Sequence, residues 1–476
     1  MVIRRKACYP SRPLRLIPSG HNVANYKTNQ DKSNAERPHK MAISPARFAL
    51  IPALKEILEQ QAFSGHVIDK TLREKTFSAA DRGLFTELLY GFLRQGHQLL
   101  AFADTFFAKP GKMPDVAKWI LALAFYQKLY LTRIPDHAIV SESVELARYY
   151  LGPKPFPGLV NAVLRKFLRE PENFQKMFAV ASLGFQASFP DWLARRLSEQ
   201  WTEQGFRTMA LALNSRAPTY ARINSMKTTA EAVLKTFAEA GVSCETTDYA
   251  GCLILPELSV SPVNLPGYAE GLWSIQNKAS QKIAPHLDVH AGQRVLDACA
   301  GFGGKTLHMA ELSGDQAFID YFDLNSSKME ALGVRAALLG FKRVSPVKVW
   351  NKLYDRILID APCSGLGTTA SHPEIKWLRT AKDLTEQIKT QLKVLQHYSQ
   401  FLKPGGQLLY AVCSIDKSEG EGVLAAFLAE TKAFCVDPNC LSPRGDSKVG
   451  TYLLPTEMGE TGYFFSRLIK SIHGTH

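Results

Sequence analysis

At 476 residues the chain is too long for one hydrophobic core and should divide into two or three units. Its 46% hydrophobic and 21% charged residues are those of a globular protein, and no apolar run approaches the roughly 20 residues of a membrane helix, so general disorder and a membrane span are excluded. Of the net charge of +13, residues 1–40 supply +7 (nine Lys/Arg against two Asp/Glu), leaving +6 for the remainder, a mild basic excess compatible with a nucleic-acid partner.

The opening residues lack the charged-then-apolar pattern of a signal peptide, so none is expected. The leading segment, residues 1–44, is Arg-bearing and Ser/Asn-rich. It reads as a disordered tail, or as a reading frame begun upstream of Met41, in preference to an organelle transit peptide. The eight cysteines (Cys8, Cys244, Cys252, Cys299, Cys363, Cys413, Cys435 and Cys440) show no Cys-x-x-Cys pair and no Cys/His metal spacing. Reduced thiols and no metal site are expected.

Ser44-Pro45 reads as a helix start, with Ser as cap and Pro in the first turn. Over 45–170 apolar residues recur at helical spacing (Phe48, Ile51, Leu54, Leu58; Val160, Val163, Leu164, Phe167, Leu168), with breaks at Lys109–Pro114, Ile134-Pro135 and Gly152–Pro157. An all-α bundle is expected there. Residues 171–290 mix a helix from Ser188, a strand over Ala221–Lys227 and a helix over Thr229–Ala240, which suits a small α+β module. From Val295 strand–helix alternation becomes regular. Strands are predicted at Val295–Ala300, Gln316–Phe322, Val344–Val349, Arg356–Ile359, Gln407–Val412 and Gly462–Ile469. Helices are predicted over Ser326–Leu339 and along Leu384, Ile388, Leu392, Leu395 and Leu402, the latter leading through Lys403–Gly406 to the next strand. Residues 291–476 therefore read as a doubly wound, mostly parallel α/β sheet.

The chemistry gathers at strand ends. Ala298–Thr306 (ACAGFGGKT) is a glycine-rich strand-to-helix turn, where the backbone can approach a ligand and a helix N-terminus offers free N–H groups. It matches neither the P-loop nor GxGxxG. Asp323 ends the next strand, where doubly wound folds place an acid on ribose hydroxyls; alone it would read equally well as a helix cap. Together with the glycine turn it favours a nucleoside-bearing ligand. Tyr354–Gly367 (YDRILIDAPCSGLG) is a short apolar run that stops at Asp360, Pro362 and Cys363. That pattern reads as a strand buried on both faces, with its polar end at the ligand edge of the sheet. Cys413 ends the strand of YAVCS. A buried cysteine is ordinarily a small hydrophobe. Two at neighbouring strand ends, beside Asp360 and the glycine turn, point instead to thiolate chemistry, without showing which thiol attacks.

Asp81–Arg94, Tyr126–Ala147 and Leu159–Arg169, in that order, resemble a NusB-type RNA-binding helical domain. On physical grounds Arg165, Lys166 and Arg169 read as a solvated helix face in preference to an RNA contact; the resemblance shifts that reading toward RNA. CAGFGGKT, DAPCSGLG followed by HPEIKW, and YAVCS resemble the Nol/Nop/Sun family of RNA cytosine-5 methyltransferases, and Arg222, Asn224 and Gln276 resemble the region that precedes its catalytic sheet. With the NusB-like front, residues 45–470 are similar to the RsmB/Sun (Fmu) branch, which methylates one cytosine of small-subunit ribosomal RNA. The resemblance implies a multi-domain chain: a NusB-like bundle, an α+β module and a Rossmann-like methyltransferase domain. It implies S-adenosyl-L-methionine held by Cys299, Ala300, Gly301, Phe302, Gly303, Gly304, Lys305, Asp323 and Asp360. It also implies Cys413 as nucleophile, Cys363 as the cysteine that assists product release, and Asp360 on the base edge.

The residue types suit that reaction. Carbon 5 of cytosine is too weak a nucleophile to take a methyl group until a thiolate adds at carbon 6, which splits one hard step into two. Asp360 can stabilise the protonated ring nitrogen as charge develops. Cys363 is the candidate base for the carbon-5 proton. The target base must leave its stack. Five positions depart from the family pattern: Gly301-Phe302 for Ala-Pro, Val412 for Thr, Asn277 for Asp, and Asn351 as the nearest substitute for the acid after the third strand. The rival readings are a catalytically weak RNA-binding scaffold and a tRNA methyltransferase of the same chemistry. A cytoplasmic monomer acting on ribosomal RNA is expected.

Overall fold

The computed structural model describes residues 43–256, 258, 260–441 and 447–472. The expected basic tail up to residue 42, with Cys8, lies outside them.

The stretch read as helical folds into six helices, Pro45–Leu58, Ser64–Glu74, Ala79–Asp104, Asp115–Tyr130, Asp136–Leu151 and Phe156–Arg169. They close on a single core that holds Phe85, Phe92, Phe125 and Phe167 and continues to Phe174 and Phe185. The breaks expected at Lys109–Pro114 and Ile134-Pro135 fall between helices, while Gly152–Pro157 runs into the sixth helix, whose first two residues are Phe156 and Pro157. One local reading is corrected. Ser44 precedes the first helix in an extended conformation, but its hydroxyl makes no cap bond; it donates to Glu142 (2.8 Å), beside the Arg47–Glu142 ion pair (2.9 Å). Tertiary charge outbids the local cap.

Four antiparallel strands follow: β1 (Thr219–Ile223), β2 (Glu245–Thr246), β3 (Cys252–Leu255) and β4 (Trp273–Ile275), in the order β2-β3-β1-β4. Helix Ala230–Glu239 covers one face, packing Val233 and Phe237 in the core that holds Trp273.

The large sheet contains β5 (Arg294–Asp297), β6 (Phe318–Tyr321), β7 (Val344–Pro346), β8 (Tyr354–Asp360), β9 (Leu402–Val412), β10 (Phe434–Val436), β11 (Thr451–Leu453) and β12 (Tyr463–Lys470). Its order is β10-β12-β9-β8-β5-β6-β7, with β11 against β12. Strands β5 to β9 are parallel, and β12 runs antiparallel to β9. In β8, Leu358 enters the core on one face and Ile357 and Ile359 the core on the other, which is why the run is apolar without alternation. After β7 the chain returns to the far side of β5. The switch point therefore lies between β5 and β8, where such sheets open a crevice for ligands.

Two expectations shift. The amphipathic helix ends at Ser399, and Leu402 opens β9 opposite Tyr354, so Lys403–Gly406 lies inside a strand whose register slips between Tyr354 and Arg356. The third strand stops at Pro346, an edge strand paired to β6 alone.

The segment after Cys363 is bolted to the helical region. Trp377 stacks on His97 (ring centroids 3.8 Å apart) and donates its indole N–H to the Leu93 carbonyl (2.8 Å). Buried Lys376 donates to the carbonyls of Arg94 (2.5 Å) and Ser188 (2.7 Å) and to Asn214 (2.5 Å), while Ser64 donates to Glu374 (2.7 Å). Trp377→Ala is expected to cost about 3 kcal/mol, from the ring contacts and cavity lost. The check is chemical denaturation followed by probes in the helical region, with a lower midpoint expected.

Candidate active site

Three strand ends converge. At β5 the chain leaves Asp297 and turns through Cys299–Gly303 into helix Gly304–Leu312. Gly301 and Gly303 take φ of +54° and +86°, the left-handed region that glycine adopts at no steric cost. A Cβ on Gly303 would lie 2.5 Å from Leu332, whereas one on Gly301 would meet nothing within 4 Å. The turn is thus closed below and open above. Its backbone is fixed by Ala300 N–H to Phe322 O, Gly303 N–H to Ala300 O, and Gly301 N–H to Asp323 Oδ2, all 2.9 Å. Asp323 also accepts from Asn325 N–H (2.8 Å), so each oxygen keeps acceptor capacity. Cys299 is half-buried. Phe302, which stands where the family pattern has proline, is 69% exposed, with Lys328 over its ring at 5.5 Å. Asn351, the substitute acid, is exposed on the loop between β7 and β8.

Beside the turn, buried Lys305 donates to Asp360 Oδ2 (2.6 Å) and lies 5.0 Å from the Tyr463 ring centroid. Although burial disfavours its charge, Asp360, Tyr463 and Cys413 nearby raise the pKa of Lys305 above its usual value, so it stays an ammonium. Adjacent parallel strands β8 and β9 carry the two cysteines past their ends, and Cys363 Sγ touches Cys413 Sγ at 3.3 Å. The Cys413 thiol, then burial, push the Cys363 thiol well up, with the negative charge of Glu419 adding to the shift. The loops are pinned by Gly367 N–H to Cys413 O (3.1 Å) and Gly462 N–H to Gly367 O (2.7 Å); a Cβ on Gly367 would strike Gly462 O. Val412 is fully buried on β9.

Arg222 joins the small sheet to the glycine-turn helix. It pairs with Glu311 (2.6 Å), donates to Gly304 O (2.7 Å) and also donates to Gln276. Asn224 bonds locally to Gly271 O (3.0 Å). Asn277 caps a short helix through Ala279 N–H (3.0 Å) and accepts from Thr461 (2.5 Å).

Sequence reasoning missed Asp297. It is 1% exposed, its Oδ2 accepts from Thr306 (2.7 Å), and its Oδ1 has no partner among the described residues. Burial, opposed by the Thr306 bond and reinforced by Asp360, pushes its carboxyl up to about 7. An acid closing an apolar strand just before the glycine turn was the signal available. Because its folded pKa exceeds the usual 3.8, its contribution to stability is full below about pH 4 and is lost as pH rises to about 7. Asp297→Asn should remove that slope. Relative to the parent, the ligand-free variant should gain roughly 4 kcal/mol between pH 4 and 8, read by urea denaturation across that range.

An orphaned buried carboxylate oxygen, an open glycine cradle and an acid at the end of β6 fit a nucleoside-bearing cofactor with an amino group. Among the described residues no cluster of His, Cys, Asp or Glu could hold a metal ion.

The 16S rRNA methyltransferase RsmB/F family matches residues 284–469, the NusB family 44–169, and the RsmF/B-like ferredoxin-like domain 189–260. The ribosomal RNA small subunit methyltransferase B of Klebsiella pneumoniae is 35% identical over 430 residues, covering 88% of this chain and 96% of that one. That of Vibrio cholerae is 32% identical over 439 residues, covering 90% and 98%. The crystal structure of PH0851 superposes with a TM-score of 0.71 over 92% of this chain and 100% of that one, at 21% identity, a likeness of fold. Joined to the paired thiols and the glycine turn, these matches place the chain in the RsmB family of ribosomal RNA small-subunit methyltransferases.

Proposed function

We propose that this chain transfers a methyl group from S-adenosyl-L-methionine to carbon 5 of one cytosine in 16S ribosomal RNA, through a covalent bond between Cys413 and carbon 6 of the base. The observation that carries the reading is the contact of Cys363 with Cys413 (3.3 Å) beside the Lys305–Asp360 pair at the switch point of the sheet.

The cofactor, when bound, supplies a methyl group on a positively charged sulfur. Gly301 and Gly303 would approach it through backbone, Asp323 would accept its ribose hydroxyls, and Asp297 and Lys305 would line its amino-acid end, with Cys299, Ala300, Phe302 and Gly304 completing the turn. The two thiols stand in different fields. Both thiols are half-buried, but Cys413 lies within electrostatic reach of the Lys305 ammonium, whereas Cys363 faces the charge of Glu419. That asymmetry supports Cys413 as the attacking sulfur and Cys363 as the neutral thiol.

Cys413 adds to carbon 6, the displaced electron pair takes up a proton from solvent at the ring nitrogen, and that N–H donates to Asp360, which Lys305 holds in place. Carbon 5 is then nucleophilic. Once methylated it gives up its proton to solvent water, the carbon–carbon double bond re-forms, and the carbon–sulfur bond breaks with its electron pair returning to Cys413. Cys363, held protonated, assists by donating to the departing Cys413 sulfur; accepting the carbon-5 proton would first require loss of its own.

The division into 45–170, 171–290 and 291–476 assigns RNA capture to the helical region and chemistry to the large sheet. Arg165, Lys166 and Arg169 are exposed and lack carboxylate partners among the described residues, which suits phosphate contact. No helix among the described residues is long and apolar enough to cross a membrane. The protein acts as a cytoplasmic monomer in this reading. Incubation with labelled S-adenosyl-L-methionine and unmodified 16S ribosomal RNA, followed by nucleoside analysis, tests it. Label in 5-methylcytidine at one site is expected; label in another nucleoside, or RNA binding without methyl transfer, contradicts it.

A further inference from the structure

Glu419 is a fully buried carboxylate with no cation paired to it among the described residues. Its oxygens accept four hydrogen bonds: Ser364 N–H (2.7 Å), Ser364 O–H (2.5 Å), Ser414 O–H (2.5 Å) and Gln391 Nε2 (3.0 Å). Ser364 follows Cys363, and Ser414 follows Cys413. Gln391 also donates to Pro362 O (3.0 Å), so the residues on both sides of Cys363 are gripped by one cluster. The backbone of Glu419 is itself anchored, its carbonyl accepting from Tyr410 O–H (2.7 Å). Burying an unpaired charge is costly even when hydrogen bonds satisfy it, and a neutral side chain could fill the space. What the carboxylate provides that an apolar residue would not is a common acceptor for two loops at the ends of two strands.

We propose that Glu419 is a positioning residue that sets the separation of the Cys363 and Cys413 sulfurs, and so the rate at which Cys413 is released from the methylated base. This rests on the cysteine roles given above. Glu419 lies behind the thiols and touches no substrate in this account; it acts through Ser364 and Ser414.

Glu419→Gln is close in shape, but its amide offers one acceptor oxygen and turns an NH2 toward two donors. Ser414→Ala removes a single tether and leaves the carboxylate in place. For Glu419→Gln, kcat is expected to fall about 30-fold or more with KM for RNA and for S-adenosyl-L-methionine within about threefold, because a displacement near 1 Å at reacting atoms costs rate rather than binding. Ser414→Ala should fall between Glu419→Gln and the parent. A second readout is independent of the cysteine roles. One hydrogen peroxide takes two electrons and two protons from the thiol pair, giving a Cys363–Cys413 disulfide and two waters. Peptide mapping should show that disulfide forming about tenfold more slowly in Glu419→Gln, since bond formation needs the sulfurs brought to about 2 Å.

Both variants are compared at matched helicity and melting temperature. Unchanged kcat and unchanged disulfide rate in folded Glu419→Gln overturn the proposal. So does a loss of kcat that tracks the unfolded fraction while the disulfide rate holds. Cys363→Ala, run in parallel, separates the two layers: if it accumulates no protein–RNA adduct, the cysteine roles fail, and the disulfide rate still decides on Glu419.

Discussion

Cys413→Ala is expected to abolish methyl transfer, by about four orders of magnitude or more, while RNA binding and the fold persist. No denaturation-resistant RNA adduct should form. Cys363→Ala should also lose turnover yet accumulate that adduct, because addition to carbon 6 needs only the Cys413 sulfur and release needs the donor 3.3 Å away. The asymmetry follows from the surroundings of the two thiols: Lys305 near one, Glu419 near the other. The measurement is denaturing gel electrophoresis of each variant with its RNA, beside methyl-transfer rates. An adduct with Cys413→Ala alone would exchange the roles.

The second large effect belongs to the Lys305–Asp360 pair. Lys305→Met should reduce kcat by about 10²–10³-fold, the usual consequence of removing a group aimed at developing charge. It should also cost about 3 kcal/mol of stability, because Asp360 loses its cation and Asp297 loses a compensating charge. Asp360→Asn should match the rate loss. The double variant should recover part of the stability but none of the activity, since an unpaired charge is no longer left behind. The pH sign is definite. A lysine whose folded pKa is raised contributes stability that is full below its unfolded value near 10.5 and is lost as pH rises from there through the folded value. Lys305 therefore adds no titration between pH 6 and 9, and any activity limb in that range must come from other groups. Denaturation and kcat across a Lys305/Asp360 double-mutant cycle are the checks.

Much of this site was legible because its cues are local. The Ile357–Ile359 run stopping at Asp360 located a central strand, the glycine turn located the helix N-terminus, and Ser326–Leu339 has the helix limits its apolar spacing predicts. Where the reading slipped, partners remote in sequence decided. Leu402 continues the helical spacing, yet it pairs with Tyr354, 48 positions away, and joins β9. Ser44 has the residue type of a cap, but Glu142 claims its hydroxyl. Glu419 receives its hydrogen bonds from Ser364 and Gln391, 55 and 28 positions earlier, and no spacing rule connects them. Lys376 is the same case on a larger scale: its acceptors Arg94, Ser188 and Asn214 become neighbours only once the helical region docks. Buried polar groups are specified by the assembled fold, and a single sequence shows the residue without its partners.

The central claim is that Cys413 supplies the attacking sulfur. An RNA carrying 5-fluorocytidine at the target site has no carbon-5 proton to lose, so methyl transfer to it should leave the enzyme joined to the base. Digestion of that complex and mass spectrometry of the linked peptide identify the sulfur directly. The link is expected on Cys413, with the methyl group present on the captured base. A link on Cys363, or free protein despite methyl transfer, would contradict the account.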